Sequence, residues 1–84
     1  MLIVWDELKR LANIANHEMD FADLDETFFE NSVITPAKFD RLAAVGRHPN
    51  GIILVVFVKL GTEAFSIISM RPASRYERKL HADR

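Results

Sequence analysis

His48-Pro49-Asn50-Gly51-Ile52-Ile53-Leu54-Val55-Val56-Phe57-Val58-Lys59-Leu60-Gly61-Thr62-Glu63-Ala64-Phe65-Ser66-Ile67-Ile68-Ser69-Met70 is the stretch whose reading decides the fold class. Asn50-Gly51 supplies the positive φ angles that a tight hairpin turn requires. Ile52 to Lys59 is a β-branched and aromatic run of the kind that forms a central strand covered on both faces. Leu60-Gly61-Thr62 makes the next turn, and Ala64 to Met70 reads as the following strand. Arg71-Pro72 should stop it, because proline cannot donate to a ladder. Strands joined by such short turns must run antiparallel.

Outward from this hairpin, Ser74-Arg75-Tyr76-Glu77 is a full capping-box pattern, so a final helix should begin at Ser74. Toward the amino terminus, Phe39 to Arg47 alternates weakly. Val33-Ile34-Thr35 suits either a brief strand before Pro36 or, with Thr35-Pro36, the opening of a helical turn. Asp20 offers a second helix start, and Phe21, Leu24 and Phe28 at i, i+3 and i+7 predict a short acidic helix over Phe21 to Phe29 with those residues in the core. Asp6 can cap a helix from about Glu7 to His17, in which Leu8, Leu11, Ala12 and Ala15 form the apolar stripe. Leu2 to Trp5 precedes it as a short strand. The expected class is α+β: an antiparallel sheet of three to four strands, two N-terminal helices and one C-terminal helix.

Eighty-four residues allow one small domain, spanning 1–84. Hydrophobic residues are 49% and charged residues 27% of the chain, a balance that excludes disorder and polyelectrolyte tails. The longest apolar run, Ile52 to Val58, has seven residues against the roughly 20 of a membrane-spanning helix. Met1 to Asp6 lacks a signal-peptide pattern, so a cytoplasmic protein without membrane association is expected. With no cysteine, disulfides and thiolate metal sites are excluded.

The net charge of −1 hides a polar distribution. Glu18, Asp20, Asp23, Asp25, Glu26 and Glu30 fall within 18–30 without one Lys or Arg, whereas 71–84 holds five bases against two acids. Such asymmetry separates an anion-binding end from a partner-binding one. Gly46, Gly51 and Gly61 are isolated and read as turn glycines rather than a phosphate loop. His17, His48 and His81 lack metal-ligand spacing, so neither a metal nor a cofactor is expected. Ser32, Ser66, Ser69 and Ser74 have no nucleophile-elbow context.

The remaining chemistry is a basic, aromatic-flanked cluster. Arg71 sits at a strand end, and Arg75, Tyr76, Arg78 and Lys79 follow on the helix, a set suited to phosphate oxygens. RNA carries its own nucleophile in the 2′-hydroxyl, so a protein need only orient it, move protons and stabilise the anionic transition state. Lys9 and Arg47 extend the anion site if they lie near Arg71. His17 is a candidate proton carrier, because imidazole is the side chain suited to shuttling protons near neutral pH.

Val4-Trp5-Asp6-Glu7-x-Lys9-Arg10-x-Ala12-Asn13, His17, Asp20-Phe21-Ala22 and Ile67-Ile68-Ser69-Met70-Arg71-Pro72-Ala73-Ser74-Arg75-Tyr76-Glu77-Arg78 together resemble the BrnT family of bacterial type II toxins. The resemblance implies a RelE-like fold and metal-independent endoribonuclease activity that inhibits translation. It implies neutralisation by a BrnA-like antitoxin, with DNA reached only through that complex and a 2:2 heterotetramer as the assembly. By analogy, Arg71, Arg75, His17, Lys9 and Glu77 are the expected catalytic residues, and Arg78, Lys79, Tyr76 and Arg47 the expected RNA-binding ones. Three family cations are missing here: Asn16-His17-Glu18 replaces Lys-His-Gly, Ser66 replaces an arginine, and Leu60-Gly61 replaces Arg-Gly. Their loss motivates the alternative of a weak or inactive interaction module that binds an antitoxin and acts in operon autoregulation.

Overall fold

The computed structural model describes residues 1–84. Its elements are β1 (Leu2–Trp5), α1 (Glu7–His17), a 3-10 turn (Phe21–Asp23), α2 (Glu26–Glu30), β2 (Val33–Pro36), β3 (Leu42–His48), β4 (Gly51–Leu60), β5 (Ala64–Pro72) and α3 (Arg75–Ala82). The two expected turns join β3 to β4 and β4 to β5, with Gly51 at φ 119° and Gly61 at φ 63°. Those are backbone angles that glycine adopts without steric cost.

The sheet has five strands, not three or four, and is mixed, not antiparallel, in the order β1-β5-β4-β3-β2. Leu2 to Trp5 pairs parallel with Ala64 to Ile67, and Val33 to Pro36 pairs antiparallel with β3. Weak alternation hid β3 because Ala43, Ala44, Val45 and Gly46 are buried on both of its faces. Gly46 is therefore a strand residue, not a turn glycine. A Cβ there would collide with the Ser32 hydroxyl and come within 2.9 Å of the Phe28 ring.

One face of the sheet, through Ala44, Ile53, Val55, Phe57, Ile67 and Met70, packs against Met19, Phe21, Leu24, Phe28 and Phe29. The opposite face, through Ala43, Val45 and Leu54, packs against Ala73 at the approach to α3. A register shift at Val56/Phe57 pairs Phe57 with Ile67 but Val56 with Ser69, so Ile68 is the extra residue on β5. Such a bulge inverts the side-chain alternation beyond it. Met70 thereby joins Ile67 in the first core, and Arg71, opposite Leu54, emerges on the α3 face.

Helix placement also departs from expectation. The second segment is split: Asp20 caps the 3-10 turn through Ala22 N, and Asp25 caps a separate five-residue α2 through Phe28 N. Phe21, Leu24 and Phe28 are in the core as expected. Helix α1 keeps its predicted span and Asp6 cap, but its apolar stripe faces outward, with Leu8 77% and Leu11 50% exposed. The buried residue is Asn13, whose side chain accepts from Met70 N at 3.0 Å and donates to the Met19 carbonyl at 3.0 Å. β1 covers β5 only as far as Ile67, so Asn13 satisfies a strand donor that has no partner strand.

Candidate nucleic-acid interface

Ser74 and Glu77 start α3 with both halves of the capping box: Ser74 Oγ accepts from Glu77 N, and Glu77 accepts from Ser74 N at 2.8 Å. The same Glu77 carboxylate receives a two-pronged grip from Arg71, with both N–O distances 2.9 Å. Arg71, along with the nearby Ser74 N–H, holds the Glu77 carboxyl below the usual carboxylate range. Glu77 is thus a fixed carboxylate, and Arg71 is partnered within its own strand–helix junction.

The rest of the C-terminal cluster is free of such pairing. The ion pairs of the molecule join Arg10 to Glu7 and Asp20, His48 to Asp23, and Arg71 to Glu77. Arg47, Arg75, Arg78, Lys79 and Arg84 take part in none. Residues 75, 78 and 79 share one helical face by their i, i+3 and i+4 spacing, and all three are exposed, with exposed Tyr76 beside them. Arg47 projects from β3 on the same sheet face as Arg71, because β3 pairs Val45 with Leu54 and β4 pairs Leu54 with Arg71. The structure brings Arg47 to the C-terminal half of α3, where Arg47, Ile52, Arg78, His81, Ala82 and Arg84 line an open cleft of about 490 Å³. No carboxylate side chain lines it.

His81 forms the floor of this cleft and is 7% exposed. Burial, reinforced by the charges of Arg84 and Arg47 and opposed by a backbone contact with Asn31, lowers its pKa, so the imidazole is neutral at physiological pH. A guanidinium nitrogen of Arg84 lies 2.7 Å from Nε2 and donates to the His81 carbonyl at 3.2 Å. Neither residue stood out in sequence. The lone signal was the helical spacing that sets 78 and 81 on neighbouring turns, and nothing local indicated that Arg47 would close the cleft.

The other sequence-selected residues lie on α1, which packs against β5. Lys9 and His17 are exposed there, His17 in the last turn. Trp5 is half-buried, stacks edge-on against Phe21 and donates its indole N–H to Glu7 at 3.1 Å. Arg10 ties Glu7 to Asp20 and draws the Glu7 carboxyl down to about 2. No three His, Asp or Glu side chains converge in a way that could hold a metal ion, and no helix is long and apolar enough to cross a membrane.

With this geometry in place, comparison with known proteins gives a consistent picture. Residues 5–77 match the model of the ribonuclease toxin BrnT of type II toxin–antitoxin systems. The crystal structure of the Brucella abortus ribonuclease toxin BrnT is 51% identical, superposes with a TM-score of 0.82, and the match covers 89% of this chain and 99% of that one. No curated protein matches significantly. The chain therefore belongs to the BrnT family, the ribonuclease toxins of type II toxin–antitoxin systems.

Proposed function

We propose that this protein is a cytoplasmic, metal-independent endoribonuclease whose activity inhibits translation, acting as one domain over 1–84 and neutralised by a BrnA-like antitoxin in a 2:2 assembly. The observation that carries this reading is the surplus of unpaired cations on and beside α3, where Arg75, Arg78, Lys79 and Arg47 have no carboxylate partner. Such a surface attracts a polyanion, and guanidinium groups fit phosphate oxygens.

The chemistry uses the RNA itself. The 2′-oxygen attacks the adjacent phosphorus, the bond to the 5′-oxygen breaks, and the products are a 2′,3′-cyclic phosphate and a 5′-hydroxyl. One proton leaves the 2′-hydroxyl and one arrives on the departing oxygen. Tyr76 or His17 carries the proton, a role that usually contributes about 10²–10⁴-fold. Arg71 and Arg75 stabilise the charge gathering on the phosphorane, with Arg78, Lys79 and Arg47 holding flanking phosphates and Lys9 adding charge from α1. Glu77 is a positioning group, because Arg71 holds it ionised. Operator DNA is reached only through the antitoxin.

Purified protein should cleave RNA in EDTA to cyclic-phosphate ends, and its induction without the neighbouring antitoxin frame should arrest growth. A folded Arg75→Ala/Arg78→Ala/Lys79→Ala variant should lose at least about tenfold in turnover, as expected for removal of charge-assisted contacts. Full activity in that variant would refute the α3 assignment.

A second reading rests on the Arg71–Glu77 pair. If that arginine is committed to the scaffold, the protein is an interaction module that binds its antitoxin and tunes operator binding. Absence of RNA turnover at high protein concentration, together with antitoxin binding, decides for it.

A further inference from the structure

The cleft between β3 and the C-terminal half of α3 contains more than the ribonuclease reading uses. It brings together three arginines from distant parts of the chain, Arg47 from β3 and Arg78 and Arg84 from α3 and its end. None of them has a carboxylate within ion-pair distance, and no carboxylate side chain lines the walls. A second cavity of about 330 Å³ shares Arg47, His81 and Arg84 and adds the polar side chains of Thr27 and Asn31. The α3 C-terminus contributes about half a negative charge, which three whole positive charges outweigh. The two acids nearest in sequence, Glu77 and Asp83, do not line the cleft, since Glu77 faces Arg71 and Asp83 caps the helix end.

Like charges gathered around a cavity repel one another unless an anion sits among them. His81 sharpens the point. An imidazolium on the floor would add to the repulsion, and burial keeps it neutral instead. Arg84 folds back onto this imidazole and the His81 carbonyl, contacts that leave donors of its planar fork unspent. Its partners in the free protein are therefore weak neutral acceptors, which a phosphate oxygen would outcompete.

We propose that this cleft is a phosphate subsite in which Arg47, Arg78 and Arg84 grip a phosphodiester of RNA away from the bond being cut, with His81 as its floor. The inference rests on the ribonuclease reading for the identity of the nucleic acid, and it adds His81 and Arg84, which lie beyond the residues 5–77 that match the family. It divides labour along α3. The N-terminal half presents Arg75 and Tyr76 for chemistry, and the C-terminal half anchors the strand.

The test is binding of a short single-stranded DNA oligomer, which lacks the 2′-hydroxyl and so cannot be cleaved by this route. Affinity and its salt dependence are measured by calorimetry on the intact protein and on Arg47→Ala and Arg84→Ala, with the His81 ring resonances followed by NMR. Each variant should weaken binding by about tenfold and reduce the salt slope by roughly 0.7–1, and the oligomer should shift the His81 resonances. An equally charged acidic peptide should bind far more weakly. Unchanged affinity in both variants, an unmoved His81, or equal binding of the peptide would overturn the subsite. RNA turnover measured on the same samples separates the two ideas. Turnover with no cleft-dependent binding removes the subsite alone, whereas cleft-dependent binding with no turnover removes the nuclease reading and leaves the subsite standing.

Discussion

Arg71 and His81 exchange the parts that their residue types suggest. Arg71, the junction cation, is partnered by Glu77, whereas His81, an unremarkable helical histidine in sequence, becomes the floor of the basic cleft. The histidine has a thermodynamic consequence. Its folded pKa is depressed below the unfolded value near 6.5, so between the two the unfolded chain binds more protons. Stability from this group is complete above the unfolded pKa and declines as pH falls through the window toward the folded one. Chemical denaturation at pH 7.5 and at pH 5.5 should show the wild type less stable at the lower pH. A His81→Gln variant should lose that component, while the acid loss arising from Glu77 and Asp20, whose pKa values are lowered, should persist at lower pH.

At the scale of the element, α1 illustrates how far periodicity reaches. Leu8, Leu11, Ala12 and Ala15 have the spacing of a buried stripe, and that spacing does report a helix with the right span and cap. It misreports which side is inside. The sheet donor left open beyond β1 is met by Asn13, and Arg10 is drawn to Asp20, so polar contacts orient the helix and turn its leucines to solvent. Changing Leu8 and Leu11 together to Lys should then move stability by no more than about 0.5 kcal/mol per site, the range of ordinary surface substitutions. A thermal or urea melt checks this, and a loss of several kcal/mol would place the stripe in the core. The apolar side chains of α2, by contrast, are interior: Phe28 and Phe29 are both buried and are not available to a partner.

Across the whole molecule, two layers meet one sheet and come together beside Arg47, where Thr27 and Asn31 share a cavity with His81 and Arg84. The acidic turns pack on one face and α3 on the other, and β3 serves both, with Gly46 against Ser32 and Phe28 and Arg47 toward the cleft. Gly46→Ala should lift the acidic layer away from the sheet and cost about 1–3 kcal/mol, the usual penalty for overpacking. Because Thr27 and Asn31 of that layer share a cavity with Arg47, His81 and Arg84, oligomer binding at the cleft should weaken as well. A denaturation curve paired with calorimetry reads both effects.

By itself the sequence determined the local elements: the Asn50-Gly51 and Leu60-Gly61 turns, the central strand, the Ser74 capping box, and the family through its opening and closing motifs. Each depends on side chains acting on backbone within a few residues, so no knowledge of the rest of the chain is needed. Tertiary structure alone decided that Leu2 to Trp5 adds a parallel edge strand, that the bulge at Ile68 turns Arg71 away from the core, and that Arg47 meets His81 and Arg84 across a cleft. Those outcomes are set by pairing between residues tens of positions apart. Strand register and the packing of one layer on another have no signature in local spacing.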